Sequence, residues 1–175
     1  AAVEGALTAA WRTQHQPTET GAQLLQRILQ ERRARWEARQ LAKFAEQGKT
    51  PPKDWQKKYP EPVQPDTSGL PELPQGWVWA SVEQLSVDQR YGSSAKTNEE
   101  ASGIPVLRMG NIQDGRLDIE KLKYLPSSHE EFPDLLLQSG DMLFNRTNSP
   151  ELVGKTAVFR SEVEPCSYAS YLIAV

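Results

Sequence analysis

Gly140-Asp141-Met142-Leu143-Phe144-Asn145-Arg146-Thr147-Asn148-Ser149 is the stretch on which the fold reading turns. After the turn signal Ser139-Gly140-Asp141, three apolar residues predict a short buried strand, which stops abruptly in Asn, Arg, Thr, Asn and Ser. A rigid strand with such an end can hold its polar side chains outward. Their donors and acceptors match base edges and phosphates: Arg for guanine, Asn for adenine, Ser and Thr for either. The same residues also make ordinary turns, and on composition alone the turn is the better-supported reading. Arg146 could equally pair with Asp141 or Glu151 and do no more than hold the loop.

Outward from this stretch the pattern stays that of short strands. Gly103-Ile104-Pro105-Val106-Leu107-Arg108-Met109 reads as a strand, with Pro105 at a sheet edge or near the strand start. Asp114-Gly115 is a turn signal, and residues 116–125 alternate apolar and charged positions, as in a half-buried strand or pair. Ala157-Val158-Phe159 and residues 168–175 are further strands. Ser81 to Leu85 fits a short helix after Trp77-Val78-Trp79. Trp77, Ile104, Val106, Leu107, Met142, Leu143 and Phe144 are expected to be mostly buried. Residues 75–175 thus predict an α+β domain with a mostly antiparallel, curved sheet.

The first part of the chain reads differently. Val3, Leu7 and Trp11, with Ala6 and Ala10 beside them, form an apolar stripe at helical spacing, so residues 1–13 read as the last turns of a helix. A second helix starts near Thr20, where Thr20-Gly21-Ala22-Gln23 has capping-box spacing. Leu24, Leu25, Ile28, Leu29 and Trp36 give it one face. Gly48 and Pro51-Pro52 end it. Leu25, Ile28 and Trp36 are candidate partner-binding positions, since so many apolar residues are not expected to stay exposed on a helix. Arg27, Arg32, Arg33, Arg35, Arg39 and Lys43 make the rest basic, which suits either a solvated face or a surface near phosphates or an acidic partner. Residues 49–74 hold seven prolines and predict a linker without regular structure. Within it, Trp55 and Tyr59 fit a role in pinning the linker to a neighbouring surface. The expected organisation is a helical spacer and connector over 1–48, a linker over 49–74, and a recognition-type domain over 75–175.

Composition excludes several function classes. No apolar run approaches the roughly 18 residues of a membrane span, no secretory leader is recognisable, and Cys166 is the only cysteine, so no intrachain disulfide forms. A soluble cytoplasmic protein is expected. The first residue is Ala1 and the last lies in the apolar run Tyr171-Leu172-Ile173-Ala174-Val175, which suggests a segment of something longer. The formal net charge of −3 hides a split: residues 1–60 carry 11 Lys/Arg against 6 Asp/Glu, and residues 61–175 carry 9 against 17. An acid-rich second part argues mildly against nucleic acid, although a local basic patch can still face phosphates. Val153-Gly154-Lys155-Thr156 ends like a phosphate-binding loop but lacks its first glycine, and Pro150 and Glu151 oppose a phosphate there. His15 and His129 have no third ligand at metal spacing. Glu99-Glu100 and Glu130-Glu131 sit in polar loops that suit solvation better than acid-base catalysis.

Several motifs, taken in order, carry a resemblance. Glu4-Gly5-Ala6-Leu7-Thr8-Ala9-Ala10-Trp11-Arg12, then Gln23-Leu24-Leu25-Gln26-Arg27-Ile28-Leu29-Gln30-Glu31-Arg32, then Leu73-Pro74-Gln75-Gly76-Trp77-Val78-Trp79 resemble the central region of type I restriction-modification specificity subunits. Ile104-Pro105-Val106-Leu107-Arg108-Met109-Gly110-Asn111-Ile112 and Leu137-Gln138-Ser139-Gly140-Asp141-Met142-Leu143-Phe144-Asn145-Arg146 resemble the two recurrent strands of a target recognition domain in that family. Each motif is weak alone; their order, from about residue 3 to residue 160, is specific.

The resemblance implies a DNA-binding specificity module without catalytic activity. In the family two recognition domains each read half of a split target in double-stranded DNA. Long helices between them set the spacing and dock methyltransferase subunits, and a separate restriction subunit cleaves. This chain would hold the end of a spacer helix, the connector and the first two thirds of the second recognition domain. It would need no cofactor of its own, with S-adenosylmethionine, ATP and Mg2+ on the partner subunits. Positions at or beyond strand ends give the DNA-contact candidates Arg108, Asn111, Asn145, Arg146, Asn148 and Lys155, with Arg90, Tyr91 and Lys96 after them. The alternatives are the recognition part of a fused type II-like methyltransferase or nuclease, and a helical interaction scaffold without DNA binding.

Overall fold

The structure is a computed structural model that describes residues 4–15 and 17–175. Two compact units are present, Ala1–Val87 and Asp88–Val175.

The first unit is built on one long helix, α2 (Gly21–Glu46), after a short one, α1 (Ala9–Gln14). The cap read from the sequence is in place: the Thr20 hydroxyl accepts from the Gln23 N–H at 3.3 Å, and Gln23 Oε1 accepts from the Thr20 N–H at 2.8 Å. At the other end Gly48 turns left-handed at φ 61°, and the Lys49 N–H donates to the Phe44 carbonyl at 2.9 Å. Of the helix expected over residues 1–13, the described residues show a left-handed Gly5, a 3-10 turn at Ala6–Thr8 and α1 after it. Val3, the first residue of the expected stripe, lies outside the described residues.

No residue of α2 is buried. The linker and the short helix at Val82–Leu85 pack on it. Trp36 stacks on Trp55 at 5.8 Å and meets Tyr59 edge-on at 5.4 Å, and Phe44 meets Trp55 at 6.2 Å. Tyr59 is buried. Arg32 donates to the Tyr59 hydroxyl at 2.8 Å, the Pro60 carbonyl at 3.2 Å and the Ser86 carbonyl at 3.1 Å. Residues 49–74 hold a single 3-10 turn, Trp55–Lys58; the prolines remove donors that regular structure needs. The short helix α3 (Val82–Leu85) is capped by Ser81, whose hydroxyl also donates to the Val63 carbonyl at 2.6 Å.

The second unit contains β1 (Arg90–Tyr91), β2 (Ile104–Leu107), β3 (Ile112–Gln113), β4 (Arg116–Leu117), β5 (Lys123–Leu125), β6 (Met142–Asn145), β7 (Thr156–Val158), β8 (Ser167–Tyr168) and β9 (Leu172–Ala174). One sheet has the order β1-β9-β6-β7, with every pair antiparallel. A second has the order β5-β2-β8, in which β2 runs parallel to β8. Strands β3 and β4 form a hairpin closed by Asp114 and Gly115, both at positive φ, as a two-residue turn of the I′ kind requires. The architecture is α+β with mostly antiparallel strands. Pro105 lies near the start of β2, as expected, but β2 is a central strand. Its partner across the sheet, Tyr124, exchanges backbone hydrogen bonds with Asn98, so Pro105 is not asked for a donor.

Leu107, Leu143, Phe159, Cys166, Tyr168 and Leu172 anchor the main core, and Val106, Leu125 and Ala169 form a smaller cluster. Ile104, Val106, Leu107 and Leu143 are buried as expected, and Met142 is half-buried. Phe144 and Trp77 are corrections to that list, at 36% and 42% exposed. Strand side chains alternate between faces, so Leu143 and Asn145 point inward and Phe144 points out. Trp77 belongs to the first unit, where the Arg12 guanidinium lies 5.5 Å from its ring centroid.

Two predictions follow from this packing. A Cβ on Gly92 would stand 2.2 Å from the Tyr168 carbonyl oxygen, so Gly92→Ala is expected to destabilise by about 1–3 kcal/mol or more, as over-packing does. An unchanged denaturation midpoint would contradict that approach of backbones. Burial pushes the Cys166 thiol up to about 12. At pH 8 a thiol reagent should label it slowly in the native protein and rapidly after denaturation, because the thiolate is the reactive form.

Candidate nucleic-acid interface

Past β6 the chain must leave the core without stranding its backbone polar groups. Asn145 accomplishes this. Its side chain is fully buried, and Nδ2 donates to the Thr147 carbonyl at 3.0 Å and the Leu152 carbonyl at 2.7 Å. Its N–H donates to the Lys155 carbonyl, and its own carbonyl accepts from the Gly154 N–H. Asn111 acts similarly in another turn: Oδ1 accepts from the Arg108 N–H at 2.9 Å, and Nδ2 donates to the Asp118 carbonyl at 2.9 Å. Both amides therefore face inward and brace loops.

The other candidates of the first rank surround these braces. Arg146 is exposed. Its N–H donates to the Tyr171 carbonyl, Nη2 donates to the Ser170 carbonyl at 3.2 Å, and its guanidinium lies 4.9 Å from the Tyr91 ring centroid. Asn148, left-handed at φ 79°, places Nδ2 2.6 Å from Met109 Sδ. Lys155 Nζ donates to the Ile112 carbonyl at 3.4 Å. Arg108 Nη2 donates to the Lys121 carbonyl at 3.1 Å, while its buried Nε has no partner. Burial raises the Tyr171 hydroxyl, and the nearby Arg108 charge offsets part of that rise. These contacts tie the 108–112 turn, the 146–155 loop and Ser170-Tyr171 into one cluster. Met109 and Tyr171 joined it unannounced, because in the sequence they are only apolar residues of strands.

Ion pairing separates the cations. Arg90 is 3.5 Å from the Asp141 carboxylate and donates to the Asp134 carbonyl, and Lys123 pairs with Glu99. Arg108, Arg146 and Lys155 donate to neutral carbonyls instead. Arg146 does not take the turn-holding role open to it in the sequence: Asp141 is engaged by Arg90 and by the Gln138 N–H, and the Ser149 hydroxyl holds the Glu151 carboxyl below its usual range. Lys96 is exposed. Gly154-Lys155-Thr156 leads into β7 and not into a helix, so the helix N-terminus of a phosphate-binding loop is missing there.

In the first unit, Leu25 and Ile28 line a groove of about 850 Å³ together with Trp11, Leu24, Trp77 and Leu85. Trp36 is not in it, being engaged by Trp55 and Tyr59. Much of the basic face of α2 is also paired: Arg27 with Glu19 and Glu31, and Arg33 with Glu37 and Glu61. No helix among the described residues is long and apolar enough to cross a membrane.

No family model matches the chain. Over about half its length it is homologous to type I restriction enzyme specificity subunits. It is 33% identical over 94 residues to the putative type I restriction enzyme MjaX specificity subunit of Methanocaldococcus jannaschii, covering 53% of this chain and 22% of that protein. It is 38% identical over 75 residues to the type I restriction enzyme EcoKI specificity subunit of Escherichia coli K12, covering 42% of this chain and 16% of that protein. The chain thus spans about a fifth of the length of these curated relatives.

The braces and the exposed cations should respond differently to mutation. Asn145→Ala removes the side-chain donor to the Thr147 and Leu152 carbonyls, of which Leu152 keeps the Lys155 N–H, and is expected to cost about 1–3 kcal/mol. Arg146→Ala, at an exposed site, should stay within about 0.5 kcal/mol of the parent. Chemical denaturation of both variants checks this; equal losses would mean that Arg146 is also a structural brace.

Proposed function

We propose that this chain is a DNA-binding specificity module, itself non-catalytic, that supplies target recognition to a type I restriction-modification complex. Homology to specificity subunits supports the class. The observation that carries the DNA reading is the cluster of Arg108, Arg146 and Lys155, three cations held by neutral carbonyls with Asn148 beside them. Such groups keep their full charge for phosphates and their free donors for base edges. Residues 75–175 serve as part of the recognition domain, 1–48 as spacer and connector, and 49–74 as the linker. Methyl transfer and cleavage reside in methyltransferase and restriction subunits, which hold S-adenosylmethionine, ATP and Mg2+, and the complex works in the cytoplasm on double-stranded DNA. The groove at Leu25 and Ile28 receives helices from the rest of the subunit or from a methyltransferase subunit.

The test uses the full-length subunit in its methyltransferase complex, with target and single-mismatch duplexes at several salt concentrations. If Arg146 reads a base, Arg146→Ala weakens target binding roughly 10- to 100-fold and relaxes preference at one position. If it contacts phosphate only, affinity falls for all sequences and the salt slope shrinks by about one unit. Unchanged affinity and slope for Arg108→Ala, Arg146→Ala and Lys155→Ala would sink the interface. Separately, Ile28→Asp should reduce co-purification with the methyltransferase subunits, and undiminished recovery would count against docking at the groove.

A further inference from the structure

In the four-stranded sheet, β9 lies between β1 and β6. Tyr91 is opposite Ile173 on one side, and Phe144 is opposite Ile173 on the other. Alternation puts these three side chains on one face, with Ala174 and Leu143 on the other. Two residues past Phe144, the Arg146 N–H continues the ladder by bonding the Tyr171 carbonyl at 3.2 Å. From there the Arg146 side chain spans β9 and brings its guanidinium 4.9 Å from the centroid of the Tyr91 ring. The Ser170 carbonyl holds Nη2 at 3.2 Å.

Tyr91 is an unusual residue for this place. It is 60% exposed, so burial of its ring contributes little to the fold. The ring attracts the cation without supplying an acceptor oxygen, which leaves the donors beyond the Ser170 bond available to an incoming anion or a guanine edge. The long Arg146 side chain, otherwise free to sample many rotamers, is restrained from two elements before any ligand arrives. Ordering a rotamer-rich side chain is one of the costs of binding, and restraint in the free protein removes part of it.

We infer that Tyr91 is a positioning residue: its ring holds the Arg146 guanidinium in place for contact with DNA. The inference rests on the DNA-binding reading proposed above and assigns Tyr91 a role through Arg146, with no DNA contact of its own.

The experiment is a double-mutant cycle on target-DNA binding by the full-length subunit in its methyltransferase complex. Tyr91→Leu keeps bulk and removes the ring; Tyr91→Phe keeps the ring and removes the hydroxyl. Expected are near-parental affinity for Tyr91→Phe and roughly 2- to 5-fold weaker binding for Tyr91→Leu, the range an exposed cation–π contact gives. Expected also is no further loss when Tyr91→Leu is added to Arg146→Ala, with Tyr91→Leu lowering the melting temperature no more than Arg146→Ala does. A purely structural Tyr91 would lower the melting temperature beyond that of Arg146→Ala and act additively, and either result overturns the inference. So does an equal loss for Tyr91→Phe, which would place the hydroxyl on DNA, or full affinity for Tyr91→Leu where Arg146→Ala is impaired. If Arg146→Ala itself binds normally, the DNA reading of this loop fails and the inference falls with it, a result separate from the others.

Discussion

The Asn145 amide, sealed at the end of β6, governs the shape of everything around it. Its two bonds to the Thr147 and Leu152 carbonyls close residues 147–152 into a loop, and the backbone bonds at Gly154 and Lys155 set where β7 begins. The two side-chain bonds satisfy Nδ2, while the buried Oδ1 has no partner, and a buried polar group costs free energy unless it is hydrogen-bonded. Once Asn145 faces inward, alternation along the strand obliges Phe144 and Arg146 to face outward. The exposure of Arg146 is thus a consequence of satisfying carbonyls at the neighbouring residue. Asn111 imposes the same discipline on the 108–112 turn, and the Asn148–Met109 and Lys155–Ile112 contacts join the two turns.

In the first unit the corresponding role falls to Tyr59 and Arg32. A proline-rich segment has few backbone donors with which to hold itself, so side chains must do it. Arg32 reaches from α2 to the Tyr59 hydroxyl and to the Pro60 and Ser86 carbonyls, while Trp36, Trp55 and Phe44 supply apolar contact. Exposed ion pairs along α2 add little to stability, so that helix depends on the linker clasp together with its packing against α3 and the Gly21 N–H bond to the Gly76 carbonyl. The clasp also explains why Trp36 differs from Leu25 and Ile28: one side chain is used internally, and the other two line an open groove.

What was legible in the sequence was what local chemistry decides. The Thr20–Gln23 box, the Gly48 stop, the Asp114-Gly115 turn and the pinning aromatics Trp55 and Tyr59 each depend on a few adjacent residues or on one large side chain in a poor context. The face that Phe144 occupies was not legible, because a run of three apolar residues has no visible alternation and only the pairing with Ala157 and Ala174 decides that Leu143 goes inward. The inward amides of Asn111 and Asn145 escaped for a related reason. Asn at a strand end suits a brace and a contact equally, and the carbonyls that settle its orientation are read only from the fold. Pro105 in a central strand depended on Tyr124 finding Asn98, a long-range pairing with no local signal.

Net charge was the least informative property, and the reason is distance. Residues 61–175 are acid-rich, which by itself speaks against nucleic acid. Yet fields from exposed charges fade over about 8–10 Å at physiological ionic strength, so an approaching phosphate feels mainly the side chains close to it. What matters there is whether a nearby cation is already neutralised. Arg90 and Lys123 spend their charge on Asp141 and Glu99, whereas Arg108, Arg146 and Lys155 are held by carbonyl oxygens that fix position and leave the charge intact. Counting residues treats these five cations alike. The fold sorts them, and it does so through backbone carbonyls at Lys121, Ser170 and Ile112, groups that no tally of charged residues includes.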